Sequence, residues 1–131
     1  MDTIDGTIEL KIPADARLLR LVRMLASGLA TGAGFDVDEL DDLRIAVDEA
    51  CAQLIAHRAG ASTLRVAYSV ETAALRVEVT VDGAGDGGGP PDLLPRDTFS
   101  WQILGAVVDE IDERIDAGEV LLAFRKRGGA R

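Results

Sequence analysis

The stretch of this sequence that decides the fold is Asp41-Asp-Leu-Arg-Ile-Ala-Val-Asp-Glu-Ala-Cys-Ala-Gln-Leu-Ile-Ala-His57. Its apolar residues recur at helical spacing, which predicts an amphipathic helix with one continuous apolar face. Glu49, Gln53 and His57 stand at every fourth position and form a polar line along the flank of that face. The line is either a solvated helix flank or a row of acid, amide and imidazole groups that serves a site, and spacing alone supports both interpretations.

Composition indicates one domain that spans residues 1–131. The chain has 131 residues, of which 47% are hydrophobic. This length and composition suffice for one domain with a sizeable core, but the chain is too short for two domains. Its net charge of -9 repels nucleic-acid phosphates, so direct binding to nucleic acid is not expected. No apolar run approaches the ~20 residues of a membrane helix, and the first residues do not resemble a signal peptide. We therefore expect a soluble, cytoplasmic protein that does not bind membranes.

The N-terminal half is predicted to contain one strand and two helices. Thr7–Ile12 alternates apolar and polar residues as a half-buried strand does. Asp15 is placed to cap the first helix, and Asp36 with Glu39 has the spacing of a capping box for the helix quoted above. The acidic first turn of that helix either compensates the helix dipole or forms a partner-binding surface.

The C-terminal half is predicted to fold as a hairpin, a helix and two further strands. Leu64–Val70 and Leu75–Val81 alternate apolar and polar residues, and a short turn joins them into an antiparallel hairpin. Asp82 then opens a loop from Gly83 to Pro95, where glycines and prolines predict a mobile, lid-like segment. A helix around Trp101 and two alternating segments complete the chain.

This order of elements predicts an α+β fold. The expected architecture is a two-layer α/β sandwich with a mixed, mostly antiparallel sheet and the helices on one face. The basic end of the chain, Arg125–Arg131, is expected to be a frayed terminus rather than an interaction site, with Gly128 to Arg131 as a tail.

Two further side chains are assigned to the core or to a site. Cys51 is the only cysteine and cannot form an internal disulfide, so its place on the apolar helix face predicts a small buried hydrophobe rather than a nucleophile. Trp101 is either a core anchor or part of a nucleotide pocket, and the core is the favoured interpretation.

Several segments resemble one known family. They are Ile12 through Arg23, Asp42 through Cys51, Val79 through Asp82, and Phe99 through Ile111. Together they resemble the anti-sigma-factor serine kinases of the RsbW type, which belong to the GHKL superfamily of histidine-kinase-like ATPases. The Phe99-Ser-Trp101 entry to the last helix is most similar to the UsfX branch. The resemblance covers nearly the whole chain and implies the Bergerat fold of that superfamily.

The resemblance implies a nucleotide site on the quoted helix. Glu49 matches the general base of the family's kinases. Gln53 stands where these kinases have an asparagine that helps to hold Mg²⁺ bound to ATP, so Gln53 is the candidate metal ligand. Its additional methylene displaces the amide by about one bond length, which disturbs an ion that requires near-ideal octahedral distances. Binding of Mg²⁺ is therefore in doubt.

The glycine-rich motifs of the family are only partly matched. Asp82 matches the acid that accepts a hydrogen bond from the adenine amino group. The glycines that follow it stand at shifted positions, namely Gly83, Gly85 and Gly87. Thr98-Phe-Ser100 takes the place of a Gly-x-Gly whose backbone N–H groups bind phosphate. The loop also lacks any basic residue that would meet a triphosphate, so binding of the candidate cofactors ATP and Mg²⁺ is expected to be weak or absent.

Two functions of different classes follow from the resemblance. The first is an anti-sigma factor that sequesters an alternative RNA polymerase sigma factor and is released by a STAS-domain anti-anti-sigma partner. The second is an ATP-dependent serine/threonine protein kinase that phosphorylates this STAS protein with Glu49 as its base. A regulatory or dimerisation domain with the fold alone is a third interpretation. The resemblance also implies a homodimer.

Overall fold

A computed structural model describes residues 6–57, 60, 62–82, 99–116 and 119–129. The elements are β1 (Ile8–Pro13), α1 (Leu19–Gly32), α2 (Val37–His57), β2 (Thr63–Glu71), β3 (Ala74–Asp82), α3 (Phe99–Val107), β4 (Glu110–Asp116) and β5 (Glu119–Arg127). This is the predicted order, and it confirms the α+β class. The predicted loop from Gly83 to Pro95 lies outside the described residues. No helix within the described ranges has the length and hydropathy needed to cross a membrane.

The five strands form one sheet in the order β1-β2-β3-β5-β4. Every pairing between the described strands is antiparallel, whereas the sequence predicts a mixed, mostly antiparallel sheet. The register sets Val66 opposite Val79 and Val79 opposite Leu122. Since directly opposed residues share a face of the sheet, these three form one apolar row across the central strands.

The helices cover one face of the sheet. Buried residues alternate with half-exposed ones along β2 and β3, as expected for strands with only one covered face. The Tyr68 hydroxyl of β2 donates to the Val22 carbonyl oxygen of α1 at 3.0 Å, and Lys126 of β5 pairs with Asp42 of α2 at 3.3 Å. Leu54 of α2 is fully buried between the layers, where truncation of a leucine to alanine costs about 2–5 kcal/mol. The core therefore lies between the helices and this sheet face.

The capping box of α2 is present as predicted. The Asp36 N–H donates to Glu39 Oε1, and the Glu39 N–H donates to Asp36 Oδ1, both at 2.8 Å. These two bonds satisfy N–H groups that have no partner inside the helix. Asp15 caps a 3-10 turn instead of α1 itself: its Oδ1 accepts from the Arg17 N–H at 2.9 Å, and α1 begins at Leu19.

The end of the chain is ordered as far as residue 129, so the expectation of fraying from Arg125 onward is wrong for the described part. β5 continues to Arg127, and the two following glycines are buried. A Cβ on Gly129, which has φ +94°, would lie 2.4 Å from the Ala33 carbonyl oxygen. The Gly129 N–H also donates to Glu39 Oε1 at 3.3 Å. The strand end is thus packed against the junction of α1 and α2, in a place that admits glycine alone.

Candidate functional site

The polar line on α2 is partly buried. Glu49, Gln53 and His57 each have intermediate exposure, whereas Arg44 and Ala52 on the outer side of the helix are exposed. A fully solvated flank would be exposed along its whole length, so the polar line borders other parts of the fold.

The polar line faces away from α1. Asp48, which lies about 100° from Glu49 and about 140° from Gln53 around the helix axis, pairs with Arg23 of α1 at 3.1 Å. Asp42 instead pairs with β5, and at 100° per residue it lies within about 20° of both Glu49 and Gln53 around the helix axis. α3 also packs against α2, and the Asp48 side is already taken by α1. The candidate site is therefore the region bounded by α2, α3 and the helix-facing side of β4 and β5.

Gln53 brings an unsatisfied donor into this region. Its Nε2 is buried and has no hydrogen-bond partner among the described residues. An amide donor left unpaired costs about 1–3 kcal/mol, so an oxygen atom that accepts this hydrogen bond would be bound favourably. The amide therefore suits a polar ligand or a polar group of a partner.

The described side chains do not form a complete Mg²⁺ site by themselves. No group of three or more His, Cys, Asp or Glu side chains in the described ranges could hold a metal ion. Mg²⁺ is held by oxygen ligands at near-ideal octahedral positions. In a nucleotide complex Mg²⁺ takes most of its ligands from phosphates and water, so Glu49 and Gln53 would supply one or two of them, and the Gln53 amide is displaced by one methylene from the asparagine position.

Asp82 lies on the other side of the sheet. It continues the alternation of β3 on the face of Thr80, away from the helices. Its Oδ2 is 2.9 Å from Arg65 Nε, and Arg65 Nη2 donates to Glu119 Oε1 at 2.9 Å. The structure therefore does not bring the Asp82 carboxylate together with Glu49.

The remaining predicted site residues divide between the core and the undescribed part of the chain. Gly83, Gly85 and Gly87 lie outside the described residues. α3 begins at Phe99, within the segment predicted to replace the phosphate-binding glycines. Trp101 is partly buried and packs against the hydrophobic core, which supports the core interpretation.

Sequence reasoning missed Glu113. This residue of β4 is only 8% exposed and is the one charged residue buried in the described ranges. It stands opposite Leu122, whose row faces the helices, so its carboxyl group belongs to the same side of the sheet as the polar line of α2. The signal was an acid between Ile111 and Ile115 in the alternation of the sequence, but only the pairing of β4 with β5 shows that Glu113 faces the helices.

Cys51 is a buried hydrophobe, as predicted. Desolvation by burial, and secondarily the negative charge of Asp48, raise the pKa of its thiol to about 12. A thiol that stays protonated at neutral pH is a poor nucleophile.

Comparison with known proteins shows the family of this chain. The model of the histidine kinase-like ATPase domain matches residues 12–122. The serine-protein kinases RsbW of Bacillus cereus (strain AH187) and Bacillus thuringiensis (strain Al Hakam) are each 25% identical to this chain, over 88% of it and 81% of their own length.

A solved structure shares the fold. The crystal structure of the RsbU and RsbW domains of Rv1364c from Mycobacterium tuberculosis superposes with a TM-score of 0.69 at 16% identity. The match covers 96% of this chain and 33% of that one, so the chain spans about a third of the solved protein. The chain belongs to the histidine kinase-like ATPase domain family and has the fold of its RsbW-type members.

Proposed function

We propose that this protein is an anti-sigma factor. It sequesters an alternative sigma factor in the cytoplasm and is released by a STAS-domain anti-anti-sigma protein. The observation that carries the proposal is an RsbW-type fold whose metal position holds Gln53, with Nε2 buried and unpaired among the described residues. Sequestration requires a folded surface and no phosphoryl transfer, so it tolerates this change. By the same resemblance we propose a homodimer.

The proposal includes a degenerate nucleotide site. Glu49 keeps the position of a base, whereas Gln53 presents a longer amide than Mg²⁺ coordination accepts. The Asp82 carboxylate is engaged by Arg65 on the far side of the sheet. Any nucleotide held by Glu49, Gln53 and the glycines at 83, 85 and 87 is therefore bound weakly.

An active serine kinase is the second candidate. One observation favours it: Glu49 is partly buried on the side of α2 that faces the candidate site, as a general base must be. In this reading the Glu49 carboxylate would accept the proton of the serine hydroxyl while that oxygen bonds to the γ-phosphorus of ATP. The bond from this phosphorus to the β,γ-bridging oxygen would break, and ADP would leave.

Co-purification tests the anti-sigma function. The full chain is co-expressed with each sigma factor of its source organism, and a stable 1:1 or 2:1 complex with one of them is the expected result. Addition of the cognate STAS protein should release the sigma factor. If no sigma factor forms a complex, the proposed function is wrong.

Calorimetry and label transfer decide between the two candidates. The degenerate site predicts little or no heat on titration with Mg²⁺ and ATP, and no transfer of labelled phosphate to the STAS protein. Robust transfer that is lost in Glu49→Ala, but kept in the exposed-residue control Glu9→Ala, would establish the kinase instead.

A further inference from the structure

The sheet ends at two edge strands, β1 and β4. β4 has seven residues, Glu110–Asp116, and β5 is the only described strand that pairs with it. Its other side therefore presents a row of backbone N–H and C=O groups that no described strand pairs with, and we call this side the β4 edge. Such a row is a template on which another chain can pair. The β4 edge is thus a surface at which a second copy of this chain could extend the sheet.

One side chain of β4 makes this pairing unfavourable. Glu113 is the middle residue of the strand and lies on the helix-facing side of the sheet, opposite Leu122, where it is only 8% exposed. A strand added at the β4 edge would bring its own covering layer and would enclose this carboxylate further, at a high cost in desolvation. The other edge strand, β1, has apolar residues at its helix-facing positions, namely Ile8, Leu10 and Ile12. An inward-pointing charge therefore distinguishes the β4 edge from the β1 edge.

The sequence of β4 also sets like charges opposite one another when two copies pair. Two strands related by a two-fold axis are antiparallel, and the residue on the axis stands opposite its own copy. The three central positions are Asp112, Glu113 and Arg114, so a register centred on any of them opposes two identical charges, which is destabilising. The register centred on Glu113 would otherwise match Asp112 with Arg114 twice, which offsets the meeting of its acidic ends at positions 110 and 116. Glu113 is thus the residue that disfavours this register, and it acts on the covered face, where charges are screened least.

We propose that Glu113 keeps the β4 edge unpaired: its inward-pointing carboxylate prevents a second copy of this chain from adding its β4 strand to the sheet. In sheet proteins, inward-pointing charges on edge strands prevent edge-to-edge association. This role requires no partner protein and does not depend on the anti-sigma function. The proposed homodimer would then form at a surface other than the β4 edge.

Sedimentation of charge variants between about 10 µM and 1 mM tests this role. Glu113→Leu should associate through β4 about a hundredfold more tightly than wild type, because no charge is enclosed by the pairing. The mass of the wild-type species should double or, if wild type is already a dimer, longer assemblies should form. Two controls should sediment as wild type does: Glu113→Asp keeps the inward charge, and Glu110→Leu makes the same exchange on the solvent face of the same strand. A folded Glu113→Leu variant with wild-type mass throughout this range would overturn the proposal.

Amide hydrogen exchange identifies the surface through which Glu113→Leu associates. Protection of the β4 amides should rise with protein concentration, while protection of the β1 amides should not change. A rise in protection at β1 or the helices instead of β4 would overturn the proposal. Circular dichroism and melting curves show whether each variant is folded. If Glu113→Leu does not fold, Glu113→Gln removes the charge and keeps the size of the side chain, so it should associate about tenfold more tightly than wild type. Wild-type sedimentation of folded Glu113→Gln would then overturn the proposal.

Discussion

Gln53 is the residue of the candidate site that we expect to weaken the binding of Mg²⁺. Its side chain is longer by one methylene than the asparagine that it replaces, and its Nε2 is buried without a partner among the described residues. Gln53→Asn moves the amide oxygen back by about 1.5 Å. We expect this change to strengthen binding of Mg²⁺ and ATP by about tenfold, measured by calorimetry.

The matched control for this substitution is Gln102→Asn on the exposed side of α3. It makes the same chemical change away from the polar line of α2 and should leave the titration unaltered. An unchanged affinity in Gln53→Asn would show that the altered amide is not what weakens the site, and the glycine-poor surroundings would then be the cause.

Cys51 predicts how stability depends on alkaline pH. Burial raises the pKa of its thiol from 9.0 to about 12. Because the folded pKa is the higher one, the stabilisation is complete below pH 9 and is lost as the pH rises toward 12. Tyr68 acts in the same direction, since burial also raises the pKa of its hydroxyl. Each such group contributes at most about 1.4 kcal/mol per pH unit.

Cys51→Ala removes one of these two groups. Urea midpoints of wild type should fall between pH 8.5 and 10.5, and those of Cys51→Ala should start lower at pH 7, because a cavity forms, and then fall less steeply. Parallel curves for the two proteins would contradict an elevated pKa for Cys51.

Helical spacing places the residues of the polar line on one flank of α2, as the structure has them. Glu49 and Gln53 share a flank because they are four residues apart on one regular helix. The side taken by Asp82 depends on whether β3 still alternates at its last residue, and the structure shows that it does. The burial of Glu113 depends on a strand register that no local pattern contains.

At the scale of elements, the hairpin turn between β2 and β3 stores local strain. Ala73 has φ 56°, the one positive φ of a non-glycine residue in the described ranges. This conformation costs an L-residue about 1–2 kcal/mol, whereas glycine adopts it freely at a smaller cost in unfolded-state entropy. We expect Ala73→Gly to stabilise the protein by about 0.5 kcal/mol, which calorimetry would detect as a rise in Tm of about 1–3 °C.

The same exchange in a helix gives the opposite sign and serves as the control. Ala52 is exposed in the middle of α2, where Ala52→Gly should destabilise by about 1 kcal/mol. A fall in Tm for both variants would mean that the turn is not strained in solution.

The elements themselves were largely predictable because each has a local signal. Alternation identified β2 and β3, and Asp36 with Glu39 identified the start of α2. The prediction of a frayed chain end was wrong because glycines and basic residues are typical of a disordered tail. Its order comes from packing against Ala33 and Glu39, which are distant in sequence.

At the scale of the whole molecule, the apolar faces of the helices and strands predict the two layers. They do not predict the order of the strands in the sheet. β5 lies between β3 and β4, so the last hairpin inserts its second strand beside the centre of the sheet. Periodicity shows which face of a strand is buried but not which neighbour it pairs with. The candidate site is built across this non-local arrangement, from α2, α3 and the last two strands.

The stability of the candidate site therefore depends on the packing of α3 against α2 and the core. α3 packs against α2, and its Leu104 is fully buried in the same core cluster as Leu54 and Phe124. One contiguous core predicts a single cooperative transition.

Trp101 is the only tryptophan and lies on α3, so its fluorescence reports this helix, while circular dichroism at 222 nm reports mainly α1 and α2. In urea the two signals should give the same midpoint, and Trp101→Phe should keep the dichroism transition. A fluorescence midpoint clearly below the dichroism midpoint would instead show that α3 detaches first, which would make the candidate site a locally unfolding region.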